Sequence, residues 1–416
     1  MKVLISAYAC EPGKGSEPGA GWHVVLAAAR DHEVWVLTRR NNRRRIEPAL
    51  AETPLPSVRF VYLELPDWAR FWKRGGVGHR LYSVLWQLLA WRKARRLHGT
   101  VGFDLVHHVT FANVWLPALA YLPGLPFVLG PVAGGQRVPV RLYPALGLTG
   151  TLRELVVVAA RRLSRLNPLV RASLRRATVI LANNDETRAA LPERWKRKTE
   201  LCSHVAVPDR LCRIPRPARR PPLAVYAGRL HRFKGVELAI RALELAPEWQ
   251  LLVIGKGPDE GRLRRIAGRS SASGRIRFVP WLSQPELWKT ISGCRAFVFP
   301  TLKEGGGHIA AEAQALGTPV IAFAQGGPAL LARFPGVAFG LVELRSPKQA
   351  VEGLAAALRA CGQPRPAPEP DFGLERVRRE LNETYRQARV RFRAGHRGRS
   401  RDRTLPAPAP TVGERS

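Results

Sequence analysis

Acidic side chains are scarce in this sequence. Its 416 residues contain 32 Asp and Glu against 67 Lys and Arg, which gives a formal net charge of +35. Such a surface is attracted to anionic lipid head groups, polyphosphates and nucleic acid. A sequence rich in Arg, Ala and Pro is also what a GC-rich genome produces, so the charge by itself assigns no partner.

Other features that would define a class of protein are missing as well. No window of about 18 residues is free of polar side chains, so a transmembrane helix is not indicated. Residues 1–10 resemble a short signal peptide, but Glu11 and Gly13 follow at once, and we predict a first strand instead. The cysteines lack the spacing of metal ligands and fit free thiols in a reducing cytoplasm. They are Cys10, Cys202, Cys212, Cys294 and Cys361.

Two phosphate-binding motifs are also absent. The sequence has no G-x-x-x-x-G-K-[ST], which excludes a Walker-type loop, and no G-x-G-x-x-G, which leaves a dinucleotide-dependent dehydrogenase with little support.

Apolar runs alternate with helical patterns along the chain, which predicts parallel α/β structure. The first series of predicted strands covers residues 3–8, 33–38, 59–63, 105–109, 127–129 and 179–182. The second series covers residues 223–227, 250–254, 276–279, 296–299 and 320–323. Between the two series, prolines and arginines without periodicity predict a linker.

We therefore predict two Rossmann-like domains. The predicted segments are a first domain over 1–205, a linker over 206–222, a second domain over 223–371, a closing helix over 372–392 and a disordered basic tail over 393–416. Ligands of open α/β sheets bind at the carboxyl ends of the strands, so the site is expected in a cleft between the domains.

The most informative segment is P-T-L-K-E-G-G-G-H-I-A-A-E-A-Q-A-L-G-T-P-V-I, residues 300–321. A strand, a glycine loop and a helix start bring free N–H groups and the positive end of the helix dipole to one point, which is a phosphate-binding geometry. Glu304 precedes the glycines, and Glu312 lies in the helix that follows. Two carboxylates beside such a point suggest a polyol that carries a phosphate, such as a nucleotide sugar.

A second segment, Y-A-G-R-L-H-R-F-K-G at 226–235, places Arg229 and Lys234 in the loop after the first strand of the second domain. When the bond between sugar and phosphate breaks, the departing diphosphate gains negative charge. A guanidinium and an ammonium can stabilise that charge without a metal ion.

Together these segments resemble the retaining glycosyltransferases of family 4, whose signature is E-x7-E. The resemblance rests on three motifs. P-x-x-x-E-G-G-G at 300–307 contains the first glutamate of the signature, and E-A-x-A-x-G-T-P-V at 312–320 begins with the second. The third motif, G-R-x-x-x-x-K-G, lies upstream at 228–235. It implies the GT-B fold, in which two Rossmann-like domains face each other across a cleft. It also implies that Glu304 contacts the donor sugar and Glu312 the ribose.

The same resemblance implies further site residues. Arg229 and Lys234 would bind the donor diphosphate, and the main chain of Gly307, His308 and Ile309 would meet it at the helix start. No cofactor is expected, because the nucleoside-diphosphate sugar is a substrate. No metal site is expected either, because Arg229 and Lys234 can stabilise the charge of the diphosphate.

In the first domain, the loop E-P-G-K-G-S-E-P-G-A-G-W-H-V at 11–24 is interpreted as a second glycine cradle, with Gly19 and Gly21 close to the donor. D-L-V-H-H-V-T-F at 104–111 offers a histidine that would face the acceptor and the sugar. Strand alternation puts His107 and His108 on opposite faces, and the position of the family pattern falls on Val109. We favour His108, which is nearer the open end of the strand; a hydrogen-bonded core histidine is the alternative.

Together with these features, the resemblance implies a metal-independent, retaining hexosyltransferase, which we expect in the cytoplasm. Its acceptor would be a glycan or a polyprenyl-linked glycan in cell-envelope or exopolysaccharide synthesis. An anionic membrane surface, the inner face of the plasma membrane, stays open as a further partner, and nucleic acid is not favoured. The aromatic and basic residues at 67–77, with Trp68, Phe71 and Trp72, are either an interfacial membrane contact or a packed loop.

Two alternatives remain at this point. A GT-B nucleotide-sugar epimerase shares the fold, although the late position of E-x7-E argues against it. A non-catalytic basic protein that binds nucleic acid or an anionic polymer would explain the charge. It also gains from C-S-H-V-A-V-P at 202–208, where many family members have a turn that contains glycine.

Overall fold

A computed structural model describes residues 1–69, 78–363 and 371–401. Phe71 and Trp72 of the aromatic and basic segment 67–77 lie outside the described residues, as does the end of the predicted tail at 402–416. Trp68 is described, and its side chain is exposed.

The first domain is a seven-stranded parallel sheet. Its strands are β1 (Lys2–Ala7), β2 (Glu33–Arg39), β3 (Val58–Leu63), β4 (Leu105–Thr110), β5 (Phe127–Val132), β6 (Val179–Ala182) and β7 (Thr199–Leu201). Its helices are α1 (Ser16–Ala29), α2 (Arg43–Glu52), α3 (His79–Val101), α4 (Tyr143–Ser164), α5 (Pro168–Arg176), α6 (Asp185–Ala190) and α7 (Glu193–Lys196). The strand order is β3-β2-β1-β4-β5-β6-β7. Central strands such as β1 are nearly all apolar because the sheet is buried on both faces.

The second domain is a six-stranded parallel sheet. Its strands are β8 (Leu223–Ala227), β9 (Gln250–Ile254), β10 (Ile276–Val279), β11 (Ala296–Phe299), β12 (Val320–Phe323) and β13 (Phe339–Val342). Its helices are α8 (Val236–Glu244), α9 (Glu260–Arg269), α10 (Gln284–Gly293), α11 (His308–Ala315), α12 (Gly326–Leu331) and α13 (Pro347–Ala360). The strand order is β10-β9-β8-β11-β12-β13.

In both sheets the strand order reverses at one place, between β1 and β4 and between β8 and β11. The loops that leave two such strands run to opposite faces of the sheet and open a crevice at the carboxyl ends, where ligands of this architecture bind. The two crevices face each other across the domains, and this arrangement determines where the site lies.

The last helix, α14 (Leu374–Arg401), packs against α1 of the first domain. The Arg378 guanidinium bonds both carboxylate oxygens of Asp31, at 2.6 and 2.7 Å, and Tyr385 Oη lies 2.9 Å from His107 Nδ1. The sequence prediction ends this helix at residue 392, whereas the helix continues to 401. The added residues, R-A-G-H-R-G-R-S-R, contain no proline that would end the helix.

The sequence pattern does not predict β7 or β13, because T-E-L and F-G-L-V lack the continuous apolar run of a central strand. It also does not predict α4. This helix and the short turn before it form the segment Val140–Ser164. Among the described residues, it is the one helical segment that is long and apolar enough to cross a membrane. Arg153 and Glu154 interrupt its apolar residues, which is why no unbroken apolar window marks it in the sequence.

Candidate functional site

The candidate site is a cavity of about 360 Å³ between the carboxyl ends of the two sheets. The first domain contributes the start of α1 and the loops that follow β4, β5 and β6. The second domain contributes the loop after β11 and the first residue of α11. Three of these segments follow strands at which the strand order reverses, namely β1, β4 and β11. The cleft expected from the sequence is therefore present.

Glu304 and Lys234 form an ion pair at the second-domain side of this cavity. The Glu304 Oε2 atom accepts a hydrogen bond from Lys234 Nζ at 2.6 Å, and each side chain is about one-fifth exposed. Lys234 follows β8 and Glu304 follows β11, so the adjacency of these two strands brings the residues together. The pair places one cation and one carboxylate at the same point of the cleft.

The start of α11 lies directly after Glu304. Gly307, the residue before the helix, has φ 79° and ψ 35°, a left-handed conformation that favours glycine. The first N–H groups of a helix have no partner within it, so those of His308 and Ile309 are available for an anion. The His308 side chain lines the cavity, and burial lowers its pKa, so the ring is neutral near pH 7.

The G-G-P turn at 326–328 packs against the backbone of the loop that carries Glu304. A Cβ atom on Gly326 would lie 2.3 Å from the Glu304 carbonyl oxygen, and one on Gly327 would lie 2.4 Å from the Gly306 carbonyl carbon. Only glycine permits such an approach of two backbones. The turn therefore fixes the conformation of the loop that carries Glu304.

Glu312 lies in the second turn of α11, outside the set of residues that line the 360 Å³ cavity. Its Oε2 atom accepts a hydrogen bond from Trp288 Nε1 at 2.8 Å, and burial raises the pKa of its carboxyl group. The Arg210 guanidinium lies 4.8 Å from the centre of the Trp288 ring. Trp288 thus fixes the Glu312 carboxylate to one side of the cavity.

Arg229 lies in the same loop as Lys234, with an exposed side chain. Its carbonyl oxygen accepts a hydrogen bond from Tyr226 Oη at 3.2 Å, which holds the loop against β8. Among the described residues, Lys234 and not Arg229 is the cation that contacts Glu304.

The structure contradicts the prediction that His108 faces the acceptor. His107 and His108 are both fully buried, and neither lines the cavity. The His108 Nδ1 atom lies 3.1 Å from Ser6 Oγ, while His107 is bonded to Tyr385 and to the Gly130 carbonyl oxygen on the other face. Burial lowers the pKa of His108 to about 3, so it stays neutral. The strand continues to Thr110, and the residues at its open end are Val109, Thr110 and Phe111.

Gly19 and Gly21 also differ from their predicted place, because both lie inside α1 and not in a loop. A Cβ atom on Gly19 would lie 2.0 Å from the Lys14 carbonyl oxygen, and one on Gly21 would lie 2.3 Å from that of Ala9. These glycines let the helix pack closely on the preceding loop, and neither lines the cavity.

The first-domain side of the cavity contains a carboxylate that the sequence reasoning missed. Glu17 Oε1 accepts a hydrogen bond from the Phe111 N–H at 2.5 Å, and Glu17 lines the cavity. Ser16 and Phe111 have φ of 61° and 58°, and such values in residues other than glycine cluster at functional sites. The position of Phe111 directly after β4 is the signal that could have identified this group.

Contacts between the domains surround the cavity. Asn184 Nδ2 donates to the Gly305 carbonyl oxygen at 3.1 Å, and the Gly326 N–H donates to Glu186 Oε1 at 2.8 Å. Asn184 is also the N-cap of α6, where its side chain accepts from the Thr187 N–H. Residues 183–186 therefore position the glycine loop of the second domain, a role that the sequence pattern does not indicate.

Residues 213–359 match the family model "Glycosyl transferases group 1". The match covers the second domain with Lys234, Glu304 and Glu312, and leaves the first domain outside it.

The D-inositol 3-phosphate glycosyltransferase of Mycobacterium marinum is 30% identical over 193 residues, 43% of this chain and 41% of that protein. The chain thus aligns with less than half of the length of this curated relative.

Solved structures are similar over nearly the whole chain. The sucrose-phosphate synthase of Thermosynechococcus elongatus has a TM-score of 0.54 at 18% identity and covers 93% of this chain and 98% of that one. HepE of Anabaena, in complex with UDP and glucose, has a TM-score of 0.51 at 15% identity and covers 92% and 99%. At these identities the likeness concerns the fold, and it confirms the predicted GT-B architecture.

Proposed function

We propose that this protein is a glycosyltransferase that moves a hexose from a nucleoside-diphosphate sugar to an acceptor hydroxyl, with retention at the anomeric carbon and without a metal ion. The observation that carries the proposal is the Glu304–Lys234 pair, 2.6 Å apart, at the start of α11. A cation, a helix start and a carboxylate meet there, and the family match includes all three.

In this mechanism Lys234 and the N–H groups of His308 and Ile309 bind the diphosphate and stabilise the charge that it gains on departure. Arg229, which has an exposed side chain in the same loop as Lys234, is assigned to the same group by the family resemblance. Glu304 binds the sugar hydroxyls, and Glu312, held by Trp288, binds the ribose.

The reaction breaks the bond between the anomeric carbon and the phosphate oxygen. The acceptor oxygen forms a new bond on the same face of the sugar, and its proton passes to the leaving diphosphate. Glu304 then acts as a positioning group, because its carboxylate is committed to the Lys234 ammonium.

The family resemblance supports a glycan or polyprenyl-linked glycan as acceptor, in cell-envelope or exopolysaccharide synthesis at the cytoplasmic face of the membrane. The inositol phosphate glycosyltransferase likeness and the UDP and glucose of the HepE structure agree with a nucleotide-sugar donor.

A thermal-shift screen of UDP-, GDP- and ADP-sugars tests the proposal. We expect one donor to raise the melting temperature of the wild type and to lose that effect in Arg229→Ala and Lys234→Ala. No shift with any donor, together with salt-sensitive binding to random DNA, would favour a basic binding protein instead.

A further inference from the structure

Helix α4 has two unlike faces, and its inner face belongs to the cleft. Glu154 is buried, and its two carboxylate oxygens accept from Lys303 Nζ of the second domain at 3.1 and 2.8 Å. Arg161 Nη1 donates to the Gln136 carbonyl oxygen at 2.6 Å. Both residues line a second chamber of about 980 Å³ that shares Trp115 and Gly305 with the candidate site. The helix is therefore fixed to the wall of the cleft.

The outer face of α4 is apolar and exposed. The exposed fractions of Leu148, Leu152, Val156 and Leu163 are 88%, 63%, 60% and 67%, and Leu155 between them is 49% exposed. Spacings of three, four and seven residues put these side chains on one side of a helix. Single exposed leucines are ordinary on a protein surface, but a contiguous stripe of this length marks an interaction site.

The charge around this stripe is strongly positive. Residues 141–176 contain eight arginines and one acidic residue, Glu154, which is paired with Lys303. Arg162 and Arg171 are exposed, the first near the end of α4 and the second in α5. Apolar side chains bordered by arginines complement a surface that has negative head groups over a hydrocarbon layer.

Two other occupants fit less well. A transmembrane position would pull Glu154 and Arg161 out of their contacts with Lys303 and Gln136. A second copy of this chain would place its exposed arginines within 141–176 against those of the first copy, and the like charges would repel.

We propose that the outer face of α4 docks on an anionic phospholipid bilayer, with its leucines at the acyl boundary and its arginines at the head groups. Docking through this helix places the chamber, and the candidate site beyond it, next to the bilayer surface. This interaction goes beyond the proposed transfer reaction and does not require it.

Co-sedimentation of the full chain with vesicles tests the proposal. The vesicles consist of phosphatidylcholine alone or with about one-third phosphatidylglycerol. The α4 variant is Leu148→Gln, Leu152→Gln and Val156→Gln. The matched control replaces three exposed apolar residues elsewhere, Leu245→Gln, Leu341→Gln and Val390→Gln, at the same net charge.

We expect wild type and control to bind the anionic vesicles, and the α4 variant to bind at least about tenfold more weakly. Arg162→Gln with Arg171→Gln, which leaves the stripe intact, should weaken binding about fivefold and reduce its dependence on salt. This second variant keeps the test decisive if the first fails to fold.

Equal binding by the α4 variant and its control would overturn the proposal. So would a wild type that ignores the vesicles, or one that self-associates through α4 in sedimentation equilibrium. The assay contains no donor sugar, so a failed donor screen leaves its outcome unaffected.

Discussion

The two sides of the cleft are built from different kinds of group. The second-domain side presents main-chain N–H groups, the Lys234 ammonium and the Glu304 carboxylate. The first-domain side presents side chains, with Glu17 bonded to Phe111 and Trp115 nearby. Main-chain groups and a cation bind a diphosphate whatever it carries, whereas side chains recognise a particular shape. We infer that the second domain binds the common part of the donor and that the first selects the acceptor.

Replacing the Lys234 ammonium should have the largest effect. In Lys234→Ala the diphosphate loses a partly buried cation and Glu304 loses its partner, so kcat/KM should fall by about 100-fold or more. The measurement is nucleoside-diphosphate release with the donor that the thermal screen identifies. Lys348→Ala is the matched control, because that side chain is 86% exposed in α13. Activity within about threefold of wild type in Lys234→Ala would contradict the assignment.

Glu312→Gln tests the proposed contact of Glu312 with the ribose, which lies outside the 360 Å³ cavity. The amide keeps the shape and an acceptor for Trp288 but removes the charge that is proposed to bind the ribose. We expect the KM for the donor to rise about tenfold with kcat nearly unchanged, the pattern of a binding contact. Glu352→Gln, a half-exposed residue of α13, serves as control. A fall in kcat without a change in KM would place Glu312 in the chemical step.

Glu17→Gln sharpens the contrast between the two sides. It keeps the size of the side chain that accepts from Phe111 but removes its charge. We expect the KM for the acceptor to rise about fivefold while the donor-induced thermal shift stays the same. If the donor shift is lost and the acceptor KM is unchanged, the first domain does not select the acceptor.

His108→Gln should have the smallest effect on activity, within about twofold, because the residue does not line the cavity. The substitution should instead change the free energy of unfolding. The pKa of His108 drops from 6.5 to about 3 on folding, so its contribution is present above pH 6.5 and is lost as pH falls toward 3. Denaturant unfolding should therefore show wild type losing stability relative to His108→Gln as pH falls below 6.5. A constant difference, or a large loss of activity, would contradict this placement.

The contrast between the two sides of the cleft also explains which parts of the site can be predicted from the sequence. The motifs around Arg229, Lys234, Glu304 and Glu312 are local, because each sets a loop and the helix that follows it. The sequence therefore predicts the fold, the linker region and the elements of the second-domain side. It does not predict the hydrogen bond between Lys234 and Glu304, since 70 residues separate them and the adjacency of β8 and β11 brings them together.

The first-domain side depends on details that have no local signal. His108 is nearer the strand end than His107, yet β4 continues to Thr110, and the regular register of β1 with β4 sets His108 opposite Ser6. Gly19 and Gly21 look like loop glycines, but close packing on Lys14 and Ala9 makes them part of α1. Which face of a strand or helix meets the cleft is decided by tertiary packing.

Hydrogen–deuterium exchange with the bound nucleoside diphosphate tests the central claim most directly. The claim is that the diphosphate binds at the start of α11 and at Lys234. We predict slower exchange in peptides that cover residues 228–235 and 300–312, above all at the amides of His308 and Ile309. Saturating nucleotide that leaves these peptides unchanged and protects another part of the chain would contradict it.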